Sequence, residues 1–145
     1  MPPAEQLPVG PAAVLDAEAL SVLASPRKRG AALRRAQAVL EAIERRAGYA
    51  VVPAPILAET SRTRARRAAV DRVLQSARVV STDRVIAETA GVLLEATGMD
   101  STNAIDAFVV ATAAQLPLAV ILTADVDDIA YLAASLRHVE VQALA

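Results

Sequence analysis

An α/β fold built on a parallel sheet covered on both faces is what this sequence predicts, and three observations carry the prediction. Short apolar runs alternate along the chain with segments of helical periodicity. The runs are continuously apolar rather than alternating, as strands buried on both faces must be. The chain has 145 residues, no internal repeat and no long linker, which suits one domain with a sizeable core.

Residues 1–11, with prolines at 2, 3, 8 and 11, predict an irregular tail, and 12–145 predict the folded domain. Ala12–Leu15 is a first buried strand that ends at Asp16. Glu18–Leu23 is a short helix stopped by Ser25-Pro26, because a proline disfavours helical geometry in the residue before it. Leu33, Ala36, Leu40, Ile43 and Ala47 recur at helical spacing over 31–47, and Gly48 is the expected stop. Tyr49–Val52 is a second strand. Pro53 and Pro55 permit a turn and a new helix start, which puts Glu59 on the helix leaving that strand.

Over 63–77 the apolar stripe is Val70, Val73 and Leu74, and Val79-Val80 suggests a short third strand. Ser81, Thr82 and Asp83 offer caps for a helix to about Ala96, with Ile86, Ala90, Leu93 and Leu94 inward and Gly98 as its end. Asp100, Ser101, Thr102 and Asn103 are again capping residues, before a helix over 104–116. Leu118–Leu122 is the strongest strand signal. An acidic turn, a short helix and an edge strand at Val139–Val141 complete the chain.

Functional groups in an open parallel sheet collect beyond the carboxyl ends of the strands. Asp16 and Asp125 follow two such ends, and Glu59 lies just beyond a third. Asp106 stands in the first turns of its helix among Ile105, Phe108 and Val109, where a carboxylate is costly unless a cation or hydrogen bonds satisfy it. Four acids from four elements form the oxygen-rich set that Mg²⁺ or Mn²⁺ prefers. Each has a plainer reading as well. Asp16 and Asp125 also suit helix caps, Glu59 a solvated helix face, and Asp106 a favourable charge at a helix start.

Composition narrows the classes. The chain has no cysteine, which excludes disulfides, zinc–thiolate sites and cysteine nucleophiles. It has one Phe, two Tyr and no Trp, too few rings for recognition of single strands by stacking. No glycine-rich phosphate loop is present, and the single histidine, His138, sits near the C-terminus, where a catalytic base paired with a serine or threonine is not expected. No apolar run reaches membrane-spanning length and the N-terminal segment lacks a signal-peptide order, so the expectation is a cytoplasmic protein without a membrane partner.

Net charge is −1 but unevenly spread: residues 27–82 hold thirteen Arg or Lys against four acids, and residues 83–145 hold two Arg against nine acids. One half suits a polyanion, the other an acidic metal site. Arg62, Arg64, Arg66 and Arg67 follow closely on Glu59, and the guanidinium fork suits phosphate. They equally suit an acidic protein segment or a solvated helix face. Arg27, Lys28, Arg29, Arg34 and Arg35 form a second basic group, and Glu88 reads as solvent-facing.

Four segments in order resemble the successive motifs of the PIN domain: Val14-Leu15-Asp16-Ala17-Glu18-Ala19-Leu20, Pro55-Ile56-Leu57-Ala58-Glu59, Ile105-Asp106-Ala107-Phe108-Val109-Val110-Ala111-Thr112-Ala113, and Ile121-Leu122-Thr123-Ala124-Asp125-Val126-Asp127-Asp128-Ile129. The resemblance spans 12–141 and is greatest to small bacterial members, the VapC-type toxins of toxin–antitoxin pairs. It implies a three-layer α/β/α domain and a Mg²⁺- or Mn²⁺-dependent endoribonuclease. It places the family's acids on Asp16, Glu59, Asp106 and Asp125, a hydroxyl beside the metal on Thr123, and a secondary ligand or cap on Asp128. It also implies an RNA substrate, an antitoxin partner and a homodimer. Two other classes remain open on the residues alone: a Mg²⁺-dependent phosphatase or phosphotransferase acting through Asp16, and a non-catalytic protein-binding module.

Overall fold

The computed structural model describes residues 7–25 and 30–145. Its centre is a five-stranded, all-parallel sheet in the order β3-β2-β1-β4-β5, formed by Ala12–Leu15 (β1), Tyr49–Pro53 (β2), Ala77–Val80 (β3), Ala119–Thr123 (β4) and Val139–Ala143 (β5). Every residue of β1 is fully buried, whereas the edge strands β3 and β5 each expose part of their length. The continuous apolar run at 12–15 is therefore the central strand, and the mixed run at 77–80 is an edge.

Seven α-helices are described: Ala17–Ala24 (α1), Ala31–Arg45 (α2), Leu57–Thr60 (α3), Arg64–Leu74 (α4), Arg84–Thr97 (α5), Ala104–Ala114 (α6) and Val126–Ala133 (α7). Helices α1, α2 and α4 pack together on one face, with α2 over β1 and β2 and α4 over β3. Helices α5, α6 and α7 pack together on the other face, with α6 over β1, β2 and β4. The result is the expected three-layer α/β/α sandwich. The chain runs outward from β1 to β3, crosses back to β4, and so reverses direction between β1 and β4, the point at which such sheets open a crevice.

Local chemistry sets the element ends. Asp16, Thr63 and Asp83 cap α1, α4 and α5 by accepting from the N–H groups of Ala19 (2.8 Å), Arg66 (3.1 Å) and Ile86 (2.9 Å). Gly98 ends α5 at φ 70°, the left-handed position that glycine adopts freely. The end of α2 departs from expectation, because the left-handed residue is Ala47, at φ 58°, and not Gly48. Gly48 is required for space: a Cβ there would lie 2.3 Å from the Pro11 carbonyl oxygen and 2.6 Å from Ile43 Cγ2.

The predicted helix over 63–77 is shorter, because residues from Ala77 onward join the sheet as β3. Of the predicted tail, 7–11 carry no helix or strand and Leu7 packs on the core, while 1–6 lie outside the described residues. Arg27, Lys28 and Arg29 also lie outside them. Among the described residues no helix is long and apolar enough to cross a membrane.

Candidate active site

Parallel pairing of β1 with β4, Leu15 opposite Leu122, brings the chain ends beyond both strands side by side. Asp16 leaves β1 there and Thr123 closes β4. The Asp16 N–H still donates to the Leu122 carbonyl at 3.2 Å, so the residue is held by the sheet as well as by its cap. The residue is only 8% exposed, and burial pushes its carboxyl pKa up against the pull of Thr123 and of the Ala19 N–H. The fully buried Thr123 hydroxyl also accepts from the Asp125 N–H at 2.8 Å, which fixes the turn after β4.

Asp106 arrives from the opposite layer, in the first turn of α6. The small helix over Ser101–Asn103, capped by Asp100 through the Thr102 N–H at 2.9 Å, leads into it. Half-buried Asp106 faces Asp125 and Asp128, and one carboxylate oxygen from each of the three lies within 4.8 Å of the others. The Asp106 pKa is raised to about 6, first by burial, then by the neighbouring Asp125 carboxylate, and by the charges of Asp128 and Asp16. Asn103 donates to Asp128 Oδ2 at 3.3 Å and orients it toward the group.

Asp16, Asp106 and Asp125 border a cleft of about 510 Å³ that Glu18 and Glu59 also line. Ile56, Ile105 and Val109 provide its apolar wall, and Thr102 sits at its rim. Among the described residues no lysine or arginine lines it. Oxygen donors this close repel one another when ionised, and a hard divalent cation is the species that relieves them. The donor set thus fits Mg²⁺ or Mn²⁺, with Asp106, Asp125 and Asp128 as the residues placed to hold it and Asp16 adjoining.

The tight group differs from the four principal acids expected. Asp128, ranked as secondary, belongs to it because it stands one helical turn beyond Asp125 and so on the same side of α7. Glu59 lines the cleft from α3 but is exposed and lies outside the group. Asn103 reads in sequence as a helix cap, and Glu18 as an ordinary residue of α1. Glu18 stands in the first turn of α1, next to the capping Asp16, and so lines the cleft, but the reach of Asn103 to a residue 25 positions away has no sequence signal.

The arginines divide. Arg66 is half-buried and its fork donates to Ser21 Oγ at 3.0 Å and Ser25 Oγ at 3.2 Å, tying α4 to α1. It is a structural tie rather than a free phosphate ligand. Arg62, Arg64 and Arg67 are exposed and are not among the cleft-lining residues. Arg34 is exposed, and Arg35 makes one long contact, 3.5 Å, to the Ala143 carbonyl. Glu88 pairs with Arg84 at 2.8 Å on the surface, as its solvent-facing reading anticipates. His138 Nε2 lies 2.9 Å from the Ala114 carbonyl, where it must donate, and joins α6 to the start of β5 away from the acids.

A family model described as PIN domain matches residues 13–134. No curated protein matches the chain in sequence. Among solved structures the chain is similar to one in the crystal structure of VapBC2 from Rickettsia felis bound to a DNA fragment from their promoter. The two are 12% identical, with 91% of this chain and 98% of that chain covered and a TM-score of 0.63. At that identity the likeness concerns the fold.

Proposed function

The chain belongs to the PIN domain family, and from that premise we propose that it is a metal-dependent endoribonuclease serving as the toxin of a toxin–antitoxin pair. The observation that carries the reading is the convergence of Asp106, Asp125 and Asp128 within 4.8 Å at the switch point of the sheet. Asp16 borders the cleft into which Asp106 and Asp125 also face, and exposed Glu59 lines it from α3. When bound, Mg²⁺ or Mn²⁺ would activate water and offset charge on the phosphoryl oxygens of the scissile bond.

The chain's own groups prepare that chemistry. Thr123 holds Asp16 and the backbone of Asp125 in one arrangement, and Asn103 does the same for Asp128. Glu59, exposed and at the edge of the cleft, is positioned to accept a proton from an attacking water or to join a second cation site. The aliphatic wall of Ile56, Ile105 and Val109 limits water on one side of the acids. Engagement of the Asp16 carboxyl from two sides, with 8% exposure, leaves it poorly disposed to act as a phosphate-accepting nucleophile. An antitoxin that covers the cleft, and a homodimer in the cytoplasm, complete the reading; the VapBC2 likeness supports a toxin of this kind at the level of fold.

The test is cleavage of a mixed cellular RNA pool by purified protein with Mg²⁺, Mn²⁺ or EDTA, beside Asp106→Asn. Discrete fragments that require both metal and Asp106 are expected. Intact RNA in every lane, from folded protein free of bound partner, would overturn the reading.

A further inference from the structure

Among the described residues the cleft is lined by acids and by no lysine or arginine, so the backbone of a polyanionic substrate needs positive partners outside that lining. We propose that Arg62, Arg64 and Arg67 form that partner: a track over the α1–α4 shoulder that holds the phosphates of a single RNA strand leaving the cleft. The inference rests on the ribonuclease reading and adds where the substrate runs.

The track is fixed by the Arg66 tie. Its bonds to Ser21 and Ser25 press the start of α4 against the second half of α1, whose first residues, Asp16 and Glu18, border the cleft. At 1.5 Å per residue, Ser21 and Ser25 lie about 8–14 Å along α1 from Asp16. Arg64 and Arg67 flank Arg66 at the start of α4, and Arg62 stands in the turn between α3 and α4, close in sequence to cleft-lining Glu59. All three are exposed, and among the described residues none has a carboxylate within ion-pairing distance. Three uncompensated guanidiniums beside an anionic cleft suit a ligand that is itself anionic and long enough to reach both places. RNA meets both conditions. Its bases would have no aromatic platform on this shoulder, so contact is through the backbone and strongly salt-dependent.

Binding tests the track without relying on turnover. Asp106→Asn protein in EDTA is titrated into labelled single-stranded RNA of about 4 to 16 nucleotides, alone and combined with Arg64→Glu/Arg67→Glu. The control pair, Arg45→Glu/Arg46→Glu, makes the same charge change at the end of α2, next to the start of β2 and so at the opposite end of the strands from the cleft. The expected result is at least a tenfold rise in Kd for the Arg64/Arg67 variant, with a salt slope smaller by about 1.4, two phosphates at ~0.7 each. The control pair should stay within twofold of the parent. Equal losses in both pairs, or none in either, would overturn the track. So would unchanged RNA binding accompanied by lost capture of an acidic protein partner, which would reassign the shoulder to that partner. Arginine-dependent binding by a wild-type protein that cuts no RNA would uphold the track while the ribonuclease reading failed.

Discussion

Thr123 and Asp16 form the hinge-pin of the candidate site: the Thr123 hydroxyl takes a hydrogen bond from the Asp125 N–H at 2.8 Å and lies beside the Asp16 carboxyl, whose pKa it pulls down. One buried hydroxyl thereby couples the ends of the two central strands. Replacing Thr123 with Val keeps the shape but strands the Asp125 N–H and removes a bond that lowers the Asp16 pKa. A loss of about 1–3 kcal/mol is expected by urea denaturation, with weaker metal-dependent activity, while Thr123→Ser retains both. Equal stability of the Val and Ser variants would contradict the coupling.

Asp106 gives the metal-free protein a definite pH dependence. Its carboxyl goes from an ordinary 3.8 to about 6 on folding, so the folded state binds the proton more tightly. The associated stability is complete below about pH 4 and is lost as pH rises through about 6. For a half-buried, partly screened group this amounts to about 1–2 kcal/mol. The raised pKa of Asp16 acts in the same direction. Denaturation in EDTA at pH 5 and pH 8 should show the parent weaker at pH 8, and Asp106→Asn should remove most of that difference. A parent that gains on this variant between pH 5 and pH 8 would show that Asp106 is not the strained carboxyl.

Much of the fold was legible because buried strands and capped helices write themselves locally. Ala12–Leu15 is apolar without interruption because both its faces are covered, and Asp83 and Gly98 bracket α5 by chemistry contained in one turn. The site was legible to the extent that strand ends collect functional groups, which put Asp16 and Asp125 together. What escaped was set by contacts between distant segments. Nothing near Arg66 in sequence announces Ser21 and Ser25, so its position in a run of arginines suggested a phosphate ligand. Asn103 looked like a cap until the fold set it beside Asp128. At the end of α2, glycine was expected to supply left-handed backbone, whereas the demand at Gly48 is space against Pro11 and Ile43.

That crowding makes Gly48→Ala a stringent test of how β1, α2 and β2 meet. The added methyl has backbone on one side and a core side chain on the other, so neither yields cheaply. Destabilisation of about 1–3 kcal/mol or more is expected from overpacking, read as a lowered urea midpoint. Gly91→Ala, with open space around its Cβ position, should instead stabilise α5 by up to about 1 kcal/mol. A neutral Gly48→Ala would mean that the Pro11 segment can move aside.

Arg66 separates structure from charge among the arginines. Arg66→Ala removes two hydrogen bonds from a charged, half-buried donor and should cost about 1.5–3 kcal/mol, whereas Arg64→Ala, exposed and unpaired, should stay within about 0.5 kcal/mol. Denaturation at low and high salt distinguishes the cases, because bonds to serine hydroxyls are far less screened than pairing with a distant charge. An Arg66→Ala variant as stable as Arg64→Ala would mean that α4 does not depend on this tie to α1.

Asn103 acts on the candidate metal centre through Asp128, whose carboxylate it holds from 3.3 Å. Removing a partner that orients a ligand typically weakens metal affinity 10–100-fold without removing a ligand. Where Mn²⁺ is present at a hundred times the parent's Kd, the parent should gain about 2.7 kcal/mol of stability. Asn103→Ala should gain only about 0.4–1.4 kcal/mol under the same conditions. In EDTA the two proteins should be nearly alike, since this bond is near the surface. Calorimetric titration of Mn²⁺ into both provides the affinity directly. Equal affinities of these two would mean that Asn103 orients no ligand. Asp128→Asn binding as tightly would then remove Asp128 from the ligand set, whereas loss of binding in Asp128→Asn alone would show that Asp128 is a ligand that needs no help from Asn103.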